Sequence, residues 1–280
     1  PAPVNAVSGT CSAPVVLASP VIVDPCNSIL SVVHNSIYGT SASNASGTYP
    51  VGTTTVTWTI TDNSGNINTC TQTVIVTDIL PPTLACPPDA VDQVAVGGCS
   101  LVSGSVQTPT FSDNCTIASL TYVLSGATTL VSPATGINYA NGITYNVGVT
   151  SVTYTVTDAN GLTASCTHTV WIKNLVAPKL TVTCPVTPIT ATALATSCDA
   201  LVTVPAPVIN NPCNEAYTVV NDRTGTATAT GTYAVGTHTI TWTITDASLN
   251  ITTCTQTIIV TDVNPPLLTC PPDAVDQVAV

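Results

Sequence analysis

TWTITDNSGNINTCTQTVIVTD, residues 57–78, reads as two alternating strands around a tight turn, and this reading decides the fold. Thr55–Thr61 places Val56, Trp58 and Ile60 on one face and threonines on the other, the period-two signature of a half-buried strand. Asp62-Asn63-Ser64-Gly65-Asn66 then supplies residues that tolerate the left-handed backbone of a hairpin. The same pattern returns at 153–174 and 241–262, putting Val152, Tyr154 and Val156, then Ile240, Trp242 and Ile244, on inner faces. Each copy ends at a proline-bearing linker: Leu80-Pro81-Pro82, Val176-Ala177-Pro178 and Asn264-Pro265-Pro266. PPDAVDQVAV stands at both 87–96 and 271–280, so a pair of unlike domains recurs within a tandem array. A unit of this length is a domain rather than a solenoid turn.

Working outward gives a domain at 1–80 with its first strand partly missing, one at 81–178 with a longer central segment, one at 179–264, and the start of a fourth at 265–280. Thr, Val and Ile dominate, Pro or Gly recurs every few residues, and no amphipathic helix is predicted. The expected fold class is all-β: tandem immunoglobulin-like antiparallel β-sandwiches, beads on a string.

Composition excludes several functions. With 3 Lys+Arg against 14 Asp+Glu and a net charge of −11, the chain lacks the basic patch that nucleic acid requires. No apolar run is long enough to span a membrane, and any export signal is expected outside these residues. The three histidines, His34, His168 and His238, lie in different domains without a catalytic motif, so no enzyme is predicted. The 12 cysteines contain no C-x-x-C pair; wide spacing favours disulfides over zinc, and hence an extracellular location. Spacing alone leaves three connectivities per four-cysteine domain.

The order Pro-Pro-x-x-x-Cys-Pro (Pro81–Pro87), Asp-Asn-Cys (Asp113–Cys115) and the stretch Gly47–Cys70 resembles the hyalin repeat (HYR) domain, over essentially the whole chain. The third domain departs at Ala234 and at Asn210-Asn211-Pro212-Cys213, and the second more strongly around Leu124–Ala140. The resemblance implies an extracellular, adhesion-associated module without catalytic activity. Its four-cysteine form in long arrays is similar to large surface proteins of the Bacteroidota type.

The resemblance also implies bonding of the first cysteine to the fourth, hence Cys86–Cys166 and Cys184–Cys254, with Cys99–Cys115, Cys198–Cys213 and Cys11–Cys26 as local pairs. Cys70 and Cys270 then have no partner here. The expected function is a disulfide-stabilised filament or stalk whose partners are other domains of the array or copies of itself. The alternative is a glycan- or protein-binding module using Leu124–Ala140, where Tyr139 is the aromatic candidate.

No cofactor is required, but calcium is one candidate. In such a sandwich the incoming linker, the loop between the second and third strands and the last hairpin gather at one end. That places Asp78, Asp113 and Asp158 together as oxygen ligands. The competing reading has Asp158 capping a turn and Asp113 bonding local backbone; at the next junction Asn174 and Asn211 replace Asp78 and Asp113. Finally, counting in twos from each last cysteine turns Ile75, Trp171 and Ile259 outward, as a contact surface or as residues covered within their own domains.

Overall fold

The computed structural model describes residues 2–26, 28–102, 104, 106–176 and 179–271. Of the expected fourth domain, residues 272–280 lie outside the described residues, as do Ala177 and Pro178 of the second linker. Every described regular element is a strand. The chain divides into two compact units, one of residues 1–93, 102–145 and 149–171, the other of 94–101, 146–148 and 172–280.

The quoted stretch forms the hairpin Gly52–Asp62 and Ile67–Thr77, in unbroken antiparallel register from Gly52↔Val76 to Thr61↔Ile67. Ile29–His34 flanks it on one side, and Val4–Asn5 adds in parallel on the other. Ser12–Val15, Asn44–Pro50 and Gly39–Ser41 make the second sheet of this sandwich. Between the sheets lie Ala13, Ala45, Tyr49, Val56, Trp58, Val74 and Val76. Ile60, expected on this inner face, is half-buried, whereas its counterparts Val156 and Ile244 are fully buried.

The third repeat follows the same plan. Gly236–Asp246 and Ile251–Thr261 pair along their length, Tyr217–Asn221 flanks one side and Ile189–Thr192 joins the other in parallel. Its core centres on Tyr233, Ile240, Trp242, Ile244 and Ile258. In the second repeat the hairpin Gly148–Asp158 and Thr163–Lys173 is widened by Ile117–Gly126, which carries the short strands Leu130–Val131 and Gly136–Ile137. The longer central segment is thus spent on extending its own sheet. Asn138 holds it there, its amide nitrogen donating to the carbonyls of Leu120, Pro133, Thr135 and Gly136.

Two recurring devices explain the Tyr-x-Val-Gly motif. Gly52, Gly148 and Gly236 open the long strands at φ 117°, 116° and 135°, a backbone region that side chains resist. The motif tyrosine points inward: the hydroxyls of Tyr49, Tyr145 and Tyr233 donate to the carbonyls of Ala45, Ala140 and Ala229 at 2.6, 2.8 and 2.6 Å. This is a relative of the tyrosine corner of immunoglobulin sandwiches. Burial drives the Tyr145 hydroxyl well above the ordinary phenol range, so it stays a donor at any physiological pH. Tyr233→Phe strands a buried carbonyl and is expected to cost about 1–3 kcal/mol, measurable by urea unfolding. An unchanged midpoint would deny the bond that role.

Candidate functional site

Each long hairpin defines two poles of its sandwich. Cys11 sits at the pole where the long strand begins, its carbonyl accepting from Val51 N at 3.0 Å. Cys26 sits at the hairpin pole, its N–H bonding Asp24 Oδ1 at 3.1 Å, while neighbouring Ser28 accepts from Asn63 N at 2.8 Å. Between these poles runs the 11-residue strand Gly52–Asp62, spanning roughly 35 Å at about 3.3 Å per residue. A disulfide requires Cα atoms within about 7 Å. The local pairs expected within repeats are corrected on this ground: the second and third cysteines of one repeat lie at opposite ends of their sandwich.

The second cysteine of one repeat instead meets the third cysteine of the next. Cys11 is bonded to Cys115, with Cα atoms 4.8 Å apart, and Cys99 to Cys213, with Cα atoms 5.0 Å apart. Cys11–Cys26, Cys99–Cys115 and Cys198–Cys213 are not formed; Cys26, Cys70, Cys198 and Cys270 are free and exposed. Within repeats, Cys86 is bonded to Cys166 and Cys184 to Cys254. The oxidised state of eight cysteines fits an oxidising compartment. Among the described residues no helix is long and apolar enough to cross a membrane.

Polar bonds reinforce both junctions. Around Cys11–Cys115, Asn114 Nδ2 donates to Thr10 O at 3.1 Å and to Asp78 Oδ1 at 3.3 Å. Asp78 Oδ1 also accepts from Leu80 N at 3.1 Å. Around Cys99–Cys213, Asn174 N donates to Ser248 Oγ at 2.7 Å, and Asn250 Nδ2 to Asn174 O at 2.8 Å. Ser248 Oγ and Asn174 Nδ2 both reach the buried Glu215 carboxylate, at 3.4 Å each.

Burial pushes the Glu215 carboxyl above its usual range, the nearby Asp246 adds to this, and the two donors pull it partly back. In the pH window between its unfolded and folded values the native state holds more protons, so stability falls as pH rises through the folded value. Acidification from neutral pH toward about 4.5 is therefore expected to raise the melting temperature of this region, and Glu215→Gln to flatten that slope and stabilise at neutral pH. Identical slopes in both proteins would contradict the assignment.

The three carboxylates expected to gather do so only in part. Asp78 and Asp113 lie together, with ligand atoms within 4.8 Å of each other and of Cys115 Sγ, and Asp158 is not in that group. Asp158 Oδ1 instead accepts from Asn160 N and Leu162 N inside its hairpin, and Asp113 Oδ2 accepts from Cys115 N. Cys115 is spent in a disulfide and offers no thiolate. Asp78 Oδ2 and Asp158 Oδ2 are buried without a hydrogen-bond partner. The second junction has no matching carboxylates, its counterparts being Asn174 and Asn211. The paired carboxylates Asp78 and Asp113 thus belong to the first junction, while the second is built on Asn174, Ser248 and the carboxylate of Glu215.

His168 is buried and stacked on Tyr154 at 5.9 Å, and burial holds it toward the neutral form. In the sister repeats a glutamine fills this place and accepts from a tryptophan, Trp58–Gln72 at 3.2 Å and Trp242–Gln256 at 3.3 Å. The Trp–Gln pair is thus replaced as a unit by Tyr–His. His34 and His238 contact the carbonyls of Ser41 and Ala234. Ile75, Trp171 and Ile259 are half-buried rather than open on the surface. The recurrent junction is the feature that spacing could not disclose, because the cysteines it joins belong to different repeats.

The profile of the HYR domain matches residues 6–76 and 77–172. The chain belongs to the HYR family. Its HYR repeats are 32% identical to a protein named Hyalin from Strongylocentrotus purpuratus, over 96% of this chain and 21% of that protein. A Hyalin from Lytechinus variegatus is also 32% identical, over 82% of this chain and 41% of the relative. The chain spans about a fifth and two fifths of these relatives' lengths. Among solved structures, mouse cadherin-23 EC22-24 matches at TM-score 0.31 and 13% identity, covering 92% of this chain and 95% of that one. Drosophila N-cadherin EC1-3 matches at 0.33 and 14%, covering 86% and 92%. At such scores these likenesses carry no argument.

Proposed function

We propose that this chain is a load-bearing stretch of an extracellular adhesive array, without catalytic activity, forming part of a disulfide-stabilised filament or stalk. The observation that carries the reading is the overlap of its four disulfides. Cys86–Cys166 starts inside the loop closed by Cys11–Cys115, Cys99–Cys213 starts inside Cys86–Cys166, and Cys184–Cys254 starts inside Cys99–Cys213. Tension entering near Cys11 therefore passes from bond to bond along a short covalent path. Such a device suits a tether, which must keep its length under load. HYR membership and the two relatives named Hyalin support an extracellular setting. Placement on a bacterial surface rests on the four-cysteine array pattern alone, and both relatives are sea-urchin proteins. The test is single-molecule extension of the chain in oxidising buffer and after reductant; equal contour-length gains would refute the tether.

A further inference from the structure

The chain has a single arginine, Arg223, and holds it against carbonyls and a ring face rather than a carboxylate, although 14 Asp+Glu are present. The guanidinium lies 3.7 Å from the centroid of Tyr233, with Nη1 donating to Ala229 O at 3.3 Å and Nη2 to Thr232 O. The turn that carries it is fixed by the buried Asn221. Asn221 Oδ1 accepts from Arg223 N and Thr224 N, and its Nδ2 donates to Thr224 Oγ1, Thr226 O and Thr228 O. The long side chain therefore loses its rotamer freedom on folding, before any ligand arrives.

Arg223 opens onto a pocket of ≈ 470 Å³ lined also by Asp222, Tyr233, Thr237, His238 and Thr239. Asp222 is set by Thr241, whose N–H donates to Oδ1 at 3.0 Å, and its Oδ2 has no partner among the described residues. His238 packs edge-on against Tyr233 at 5.3 Å, with Nε2 at 2.8 Å from Ala234 O. Thr237 and Thr239 are exposed beside it.

We propose that this pocket binds a carboxylated sugar, the uronic-acid unit of an acidic polysaccharide. Two of the five guanidinium N–H groups are used on carbonyls, so the fork keeps donors for a carboxylate. Asp222, His238 and the two threonines serve the ring hydroxyls. Asp222 also repels a second negative charge, so a bare phosphate or sulfate fits less well than a ligand with one carboxylate beside several hydroxyls.

The first repeat has the same frame without these groups. Asp222 N donates to Thr241 O and Asn35 N to Thr57 O, each at 3.1 Å, and the side-chain oxygens of both accept from the N–H of those threonines. Asn35 thus stands for Asp222, Ser36 for Arg223 and, by strand register, Thr54 for His238. Tyr38 packs on Tyr49 there, as Arg223 packs on Tyr233. Asn35, Thr53 and Thr55 are exposed although the second repeat is joined to the first through Cys11–Cys115, so a following repeat leaves this face open. The inference adds a ligand to the adhesive array. It fails separately from the tether, because extension of the chain does not depend on sugar.

The experiment is NMR titration of the full oxidised chain with glucuronate, read on the Nε–H signal of Arg223, unique because the chain has one arginine. Glucuronate is expected to shift this signal saturably, and glucose, acetate, glycine and inorganic phosphate to move it far less at equal concentration. Asp222→Asn and His238→Thr place residues of the first repeat on the same frame; Asp222→Asn is expected to weaken binding about ten- to a hundredfold, and His238→Thr to weaken it less. Arg223→Lys keeps the charge and loses the fork, and Arg223→Ser loses both, so saturation transfer to the sugar protons falls in the first and vanishes in the second. An Arg223 signal that glucuronate does not move overturns the proposal. So does an equal shift with glycine, which marks a site for zwitterions, or with phosphate, which marks a general anion site. Binding that survives Asp222→Asn and Arg223→Ser unchanged overturns it as well.

Discussion

Stretched from its ends in oxidising buffer, the chain between Cys11 and Cys254 pays out about 150–160 Å of covalent length, and after reduction about 800–870 Å, at 3.3–3.6 Å per residue. The short path crosses from Cys11 to Cys115, runs back to Cys99, crosses to Cys213, runs back to Cys184 and crosses to Cys254. Only roughly 45 residues of backbone carry tension along it, at most 3.6 Å each. The overlap makes either class of bond sufficient to limit extension. Without the two junction bonds the path lengthens to about 310–335 Å, and without the two bonds inside repeats to about 190–205 Å. Cys11→Ser/Cys115→Ser/Cys99→Ser/Cys213→Ser therefore separates the contributions in the same instrument. If oxidised and reduced chains gain the same length, the disulfides do not hold load and the tether reading falls.

Trp242→Ala is expected to cost about 3–5 kcal/mol, a large part of the 5–15 kcal/mol that holds a typical domain together. Trp242 is completely buried and packs in one cluster with Tyr233, Ile240, Ile244 and Ile258. Truncation opens a cavity that the paired long strands cannot close without breaking their register. It also removes the indole N–H that donates to Gln256 Oε1 at 3.3 Å, leaving a buried amide side chain short of a partner. Trp242→Ala/Gln256→Leu should recover part of the loss, and Trp242→Phe should lose less than Trp242→Ala. Thermal or urea unfolding checks all three. A loss below about 1 kcal/mol for Trp242→Ala would mean that the third repeat is not organised around this residue.

The elements of the sandwiches were legible because their signals are local. Alternation at Val56, Trp58 and Ile60 needs only neighbours two residues away, and Asp62–Asn66 specifies its turn through its own side chain–backbone bonds. Less legible was Tyr49. It reads as one more strand aromatic, while its role depends on a carbonyl four residues upstream that faces it only after the sheets pack. Ile60 shows the same limit from the other side. Its period-two position points it inward, but cover at a pole comes from residues outside the hairpin, and here it lines an open groove.

Calcium at the first junction depended on three loops converging. Two did, placing Asp78 beside Asp113, while Asp158 satisfied the N–H groups of its own hairpin. Those local bonds occupy Asp158 Oδ1, and its Oδ2 is buried without a hydrogen-bond partner.

The amino-acid sequence by itself determined the sandwich repeat, its period and the presence of enough cysteine for a covalent scaffold, since each follows from short-range pattern and count. Only the tertiary structure decided the partners of Cys11, Cys99, Cys115 and Cys213. Cysteines close in sequence are separated by the length of a strand, whereas Cys11 bonds Cys115 and Cys99 bonds Cys213, each more than a hundred residues further on. Pairing is a property of which ends meet, and no spacing rule within a single repeat contains that information.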